Sequence, residues 1–136
     1  MNDVNILDFL KRRCIGFAVL CGFEYEEASV GRTLVSCRME ERLQNPQGFA
    51  HGGLLATLMD VAAGSTALFA HGKYRPVVTQ SCDIHYLRPV SGPMVYAEGV
   101  CVKAGRRSAV VRVDLRQNDS GLVCASGFFE LCYLDI

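Results

Sequence analysis

The stretch Asn45-Pro-Gln-Gly-Phe-Ala-His51-Gly-Gly-Leu-Leu-Ala-Thr-Leu-Met-Asp60, running on to Ala70, decides how the rest of the chain is read. It opens with turn chemistry at Pro46 and Gly48, and from Leu54 onward nearly every side chain is apolar or small. The apolar residues fall on every face of the implied helix rather than on one stripe, so the helix belongs in an interior. Its span is residues 51–71, with His71 in the last turn, Gly72 as the stop and Pro76 just beyond. Between Leu54 and Ala70 the only charged residue is Asp60. A carboxylate taken from water without a partner is costly, so Asp60 must be hydrogen-bonded, shifted in pKa, or kept for chemistry.

Working outward, the first 22 residues read as an amphipathic helix. Its apolar positions include Ile6, Leu7, Phe9, Leu10, Cys14, Phe17 and Cys21, with Lys11, Arg12 and Arg13 between them, and Gly22 ends it. Phe23 to Val30 and Arg32 to Glu41 look like two strands split by Gly31. After the central helix the period becomes two. Val77 to Leu87, Met94 to Lys103, Ser108 to Gln117 and Leu122 to Tyr133 form four more strands, separated by Gly-, Pro- and Asn-containing turns. The clearest sets Ala109, Val111, Val113 and Leu115 against Arg112, Asp114 and Arg116, the mark of a half-exposed antiparallel sheet. One all-apolar helix with six strands implies an α+β domain whose antiparallel sheet curls around a central helix.

The 136 residues make one domain, 1–136. Fourteen basic residues balance fourteen acidic ones, so no global field gathers nucleic acid or an anionic membrane. The amino terminus has acids where a signal peptide carries basic residues, which places the protein in the cytoplasm. Seven cysteines stand singly, without a Cys-x-x-Cys pair, and read as reduced core residues rather than disulfides or a metal site.

Several N–H groups at the helix start lack intrahelical acceptors and carry the positive end of its dipole, and Gly52 and Gly53 let a ligand come close to them. That is an oxyanion hole in waiting. Asp60, eight residues on, supplies a nucleophile or a general base for water, and Thr57 is placed to bond it. Along one helix, however, Gly52 and Asp60 lie roughly 12 Å apart. One scissile carbonyl cannot meet both, so the expectation is a two-fold dimer in which antiparallel helices set Gly52 of one subunit against Asp60 of the other. Small residues beside Asp60 (Ala56, Ala63, Gly64) leave room for a ligand or for close helix packing. The basic residues Lys103, Arg106 and Arg107, with Arg88 and Lys73, form a candidate phosphate cluster.

The pattern Asn45-x-x-Gly48-x-x-His51-Gly52-Gly53 with Leu58-x-Asp60, followed by Asp83-Ile84-His85-Tyr86-Leu87-Arg88-Pro89 and Gly105-Arg106-Arg107, resembles the hotdog-fold thioesterases of the PaaI type over roughly residues 20 to 135. The resemblance implies a six-stranded sheet wrapped around the central helix, hydrolysis of acyl-CoA thioesters, and homodimers that pair into tetramers. It needs no cofactor, coenzyme A being part of the substrate. By the same resemblance Asp60 is the nucleophile or base, the Gly52 amide binds the thioester oxygen, Asn45 and His51 support that end, and Thr79 orients the water or the carboxylate from the second subunit. Two other readings share the cleft. A non-catalytic acyl-CoA-binding or sensing module would bind without releasing thiol, and a hotdog enoyl-CoA hydratase or dehydratase would need His51 for proton transfer.

Overall fold

In β5 (Ser108–Gln117) the alternation seen in the sequence is realised: Ala109, Val111, Val113 and Leu115 are all buried, and the charged residues between them face outward. The computed structural model describes residues 2–135. The other strands are β1 (Phe23–Ser29), β2 (Arg32–Arg38), β3 (Val77–Tyr86), β4 (Met94–Ala104) and β6 (Ala125–Tyr133). They form one antiparallel sheet in the order β1-β2-β4-β5-β6-β3, so β3 lies at an edge.

Helix α3 (Gly52–Leu68) fills the hollow of the sheet. Leu58, Met59, Ala62 and Ala63 are fully buried against Val35, Val95, Ala97, Val113 and Phe129. The approach is close: a β-carbon on Gly99 of β4 would stand 2.5 Å from Thr66 Oγ1 and 2.9 Å from the Ala62 carbonyl oxygen. Glycine at position 99 lets helix and sheet touch. This is the hotdog arrangement, an α+β fold with the sheet wrapped around one helix.

The helix ends earlier than the sequence suggests. Phe69 leaves the helical line and buries its ring with Ile6, Leu10 and Ala28, so residues 69–72 form a turn in which the Gly72 N–H donates to the Phe69 carbonyl at 2.9 Å. The amino-terminal stretch also departs from the single helix expected over 1–22. It breaks into α1 (Asp3–Arg13) and a one-turn α2 (Phe17–Leu20). Cys14 is extended and Gly16 takes φ +64°, a left-handed conformation that L side chains rarely adopt. After that bend Phe17 is 62% exposed, not packed. Among the described residues no helix is long and apolar enough to cross a membrane.

Cys21, Cys37 and Cys124 are buried, and desolvation pushes the Cys37 thiol up to about 11. In mildly alkaline iodoacetamide these three cysteines are expected to stay unmodified in the folded protein and to react only after denaturation. Peptide mass spectrometry reads this directly, and a labelled Cys37 in native protein would contradict it.

Candidate active site

The loop before α3 is built by Asn45. Its Oδ1 accepts the Gln47 and Phe49 N–H groups, each at 3.0 Å, while its own N–H donates to the Phe49 carbonyl at 2.7 Å. Asn45 thus closes the turn that delivers His51. His51 is the N-cap, with Nδ1 accepting the Gly53 N–H at 2.9 Å and its carbonyl accepting the Leu55 N–H at 3.1 Å. These bonds occupy two first-turn donors. The Gly52 N–H has no acceptor among the described residues, so the helix start presents it to the adjacent cleft.

That cleft, of about 310 Å³, is lined by Asn45, Gly52, Leu55, Tyr86 and Arg88 among others. Tyr86 closes it from β3, its hydroxyl donating to the Gly52 carbonyl at 2.9 Å. In the sequence Tyr86 stands only within the Asp83–Pro89 motif, with no role attached. The signal for its tie to Gly52 is non-local, since 34 residues separate the partners.

Asp60 is half-buried and lines a different cleft, of about 470 Å³, with Thr79, Val61, Gly64 and Ser65. Thr79 Oγ1 donates to Asp60 Oδ1 at 2.6 Å, and this bond lies within one chain. The bonded Thr79 therefore fixes its own subunit's carboxylate. Thr57 does not bond Asp60. Its hydroxyl donates to the Gly53 carbonyl at 2.8 Å, the usual back-bond of a helical threonine, and Thr57 and Gly53 line a third cleft beside α2 with His51.

The basic residues gather at one place only in part. Arg88 lies in the Gly52 cleft with its guanidinium on the Val123 carbonyl. Lys103, Arg106 and Arg107 are exposed at the β4–β5 turn, where Tyr133 donates its N–H to the Arg107 carbonyl at 2.9 Å. Tyr86 pairs with Ala125, so the two sets sit at opposite ends of β6, about 26 Å apart at strand rise. Lys73 is nearer the turn end, where its charge helps lower the Asp135 pKa, after the hydrogen bond and charge of Arg75.

A model of the thioesterase superfamily matches residues 47–124, more than half the chain and the whole of both clefts' helix wall. The chain belongs to the thioesterase superfamily. Human acyl-coenzyme A thioesterase 13 is 31% identical over 101 residues, 74% of this chain and 71% of that protein. Among solved thioesterase-like folds, the conserved protein PA5202 of Pseudomonas aeruginosa is 34% identical, with TM-score 0.83 over 89% of this chain and 95% of that one. A mutant form of the phenylacetic acid degradation protein PaaI from Thermus thermophilus is 28% identical, with TM-score 0.78 over 87% and 98%. The PaaI-type resemblance in the motifs thus extends to the whole superfamily fold.

Proposed function

We propose that the protein hydrolyses acyl-CoA thioesters to a free acid and coenzyme A in sites shared between two subunits. The observation that carries this reading is the separation of two complementary halves: an unengaged Gly52 N–H in one cleft, and an Asp60 carboxylate braced by Thr79 in another. Eight residues of helix, roughly 12 Å, lie between them. A second copy turned antiparallel closes the gap. The line Gly53, Ala56, Thr57, Asp60 and Gly64, exposed at Gly53 and half-buried beyond it, is small enough for such an approach, and edge strand β3 is largely exposed beside it. Gly52 contacts Tyr86 and Asp60 contacts Thr79, so a two-fold that sets Gly52 against the partner's Asp60 also sets Tyr86 against the partner's Thr79.

In that site the thioester oxygen takes the Gly52 N–H, polarising the carbonyl. Either Asp60 removes a proton from the water that attacks the carbon, or Asp60 attacks it directly and water then hydrolyses the resulting acyl–Asp60 anhydride to release the acid and restore the carboxylate; in both, the C–S bond breaks and coenzyme A leaves as the thiolate. Asn45 and His51 hold the oxyanion end by shaping the loop and capping the helix. For the hydratase alternative His51 has only Nε2 left, and with Nδ1 accepting the Gly53 N–H the neutral ring carries its proton there, a donor rather than a base. Arg88, beside Gly52, is the basic residue best placed for the coenzyme A end, and a pair of such dimers is the expected assembly.

Thiol release from a panel of aliphatic and aryl acyl-CoAs tests the reaction; binding without thiol release across the panel would leave the sensing-module reading instead. Within it, Thr79→Ala is expected to lower kcat about tenfold by freeing the Asp60 carboxylate to rotate, and Thr79→Ser to restore it. Equal rates for the alanine and serine variants would remove the bracing role.

A further inference from the structure

The Asp60 cleft has a second polar end that this chemistry leaves unused. There the hydroxyls of Tyr25, from β1, and Ser65, from α3, meet at 2.8 Å, and Arg13 from the last turn of α1 lines the same wall. Arg13 is exposed but tethered. Its Nη1 donates to the Tyr74 hydroxyl at 2.6 Å, and its guanidinium stands 4.9 Å from the Tyr74 ring and 5.5 Å from the Phe9 ring.

Both of its neighbours are neutral. Among the described residues Arg13 has no carboxylate within ion-pair distance, whereas adjacent Arg12 pairs with Asp8 at 2.6 Å. Most of the Arg13 donors are therefore unengaged. Tyr25 and Ser65 share one hydrogen bond between two hydroxyls, so one O–H also lacks an acceptor among the described residues, although Ser65 is only 6% exposed. The acids nearest in sequence do not fill the gap: Glu24 and Glu26 line a neighbouring cleft with Tyr25, neither is ion-paired with Arg13 among the described residues, and Glu26 accepts the Ser36 hydroxyl at 3.1 Å. A tethered guanidinium with a spare hydroxyl donor is complementary to a carboxylate.

We propose that Arg13, Tyr25 and Ser65 form a carboxylate-binding subsite at the far end of the Asp60 cleft, selecting acyl groups that end in a second carboxylate. The proposal rests on the thioesterase reading above for the placement of the reacting carbon at Asp60. Five helical residues, about 7.5 Å of rise, separate Asp60 from Ser65, the span of a medium-length diacid chain. Val61, Leu68 and Val77 give that chain an apolar wall.

Matched pairs test this: adipyl-CoA against hexanoyl-CoA, and suberyl-CoA against octanoyl-CoA. The expected kcat/KM preference for one diacid of the two is about tenfold to a hundredfold. Arg13→Gln, and independently Tyr25→Phe, should bring that ratio toward one, chiefly through KM for the diacid. A wild-type ratio at or below one in both pairs overturns the subsite. So does an Arg13→Gln variant that raises KM equally for both members, which would assign the cation to the coenzyme A phosphates. If no thioester is hydrolysed at all, the reaction reading fails separately. Calorimetric binding of the same pairs then decides the subsite alone, and equal affinities overturn it.

Discussion

Asp60→Asn is expected to cut kcat for acyl-CoA hydrolysis by about 10²- to 10⁴-fold, with KM and melting temperature little changed. Asparagine has nearly the same shape, and its Oδ1 can still accept the Thr79 hydroxyl that now lies 2.6 Å from the carboxylate. What it loses is the charge. A neutral amide neither attacks a thioester carbon nor takes a proton from water, so both versions of the Asp60 role fail together. The half-buried position argues that the substitution will not unfold the chain, because removing a charge from low dielectric costs the fold nothing. Thiol release in steady state, with a thermal melt on the same sample, provides the check. Turnover within about threefold of wild type would remove Asp60 from the chemistry.

Much of the fold was legible because single residues announced it. An apolar helix with no polar face has nowhere to go but inside a sheet, and period-two alternation in β5 identified its buried face residue by residue. The failures have local causes. The amphipathic spacing up to Cys21 hid the break at Cys14–Gly16, because a left-handed glycine leaves no trace in hydrophobic periodicity.

Thr79 is the more instructive case. Strict alternation groups it with Ser81, Asp83 and His85 on the outer face. In the structure Thr79 pairs with buried Leu131 while Ser81 pairs with Glu130, so Gln80 is an extra residue in a β-bulge. The bulge returns Thr79 to the inner face, where it meets Asp60. Only the family motif, aligned without gaps, pointed to Thr79; periodicity pointed away from it. The joining of Arg88 to the cluster Lys103, Arg106 and Arg107 failed for the opposite reason: basic residues that look alike in sequence were grouped although the strand register holds Arg88 apart from the β4–β5 turn within one chain.

Gly52→Pro gives the second large effect, about 10²- to 10³-fold in kcat, because proline deletes the N–H that receives the oxyanion. The site tolerates the ring. Position 52 is the first residue of α3, where proline is favoured, and the preceding His51 has φ −64° and ψ 135°, the extended conformation a following proline demands. A β-carbon there would meet only the Tyr86 ring, at 3.8 Å, an ordinary contact. The helix should therefore persist while the oxyanion hole is lost. Mixing this variant with Asp60→Asn then tests the assembly. In a mixed dimer one shared site inherits both defects, and the other combines an intact Gly52 from one subunit with an intact Asp60 from its partner. Equal amounts, unfolded and refolded together, should recover roughly a quarter of wild-type turnover: half the dimers are mixed, and each has one good site of two. If each chain held a complete site of its own, every site in the mixture would carry one of the two lesions, and activity would stay at the level of the separate variants.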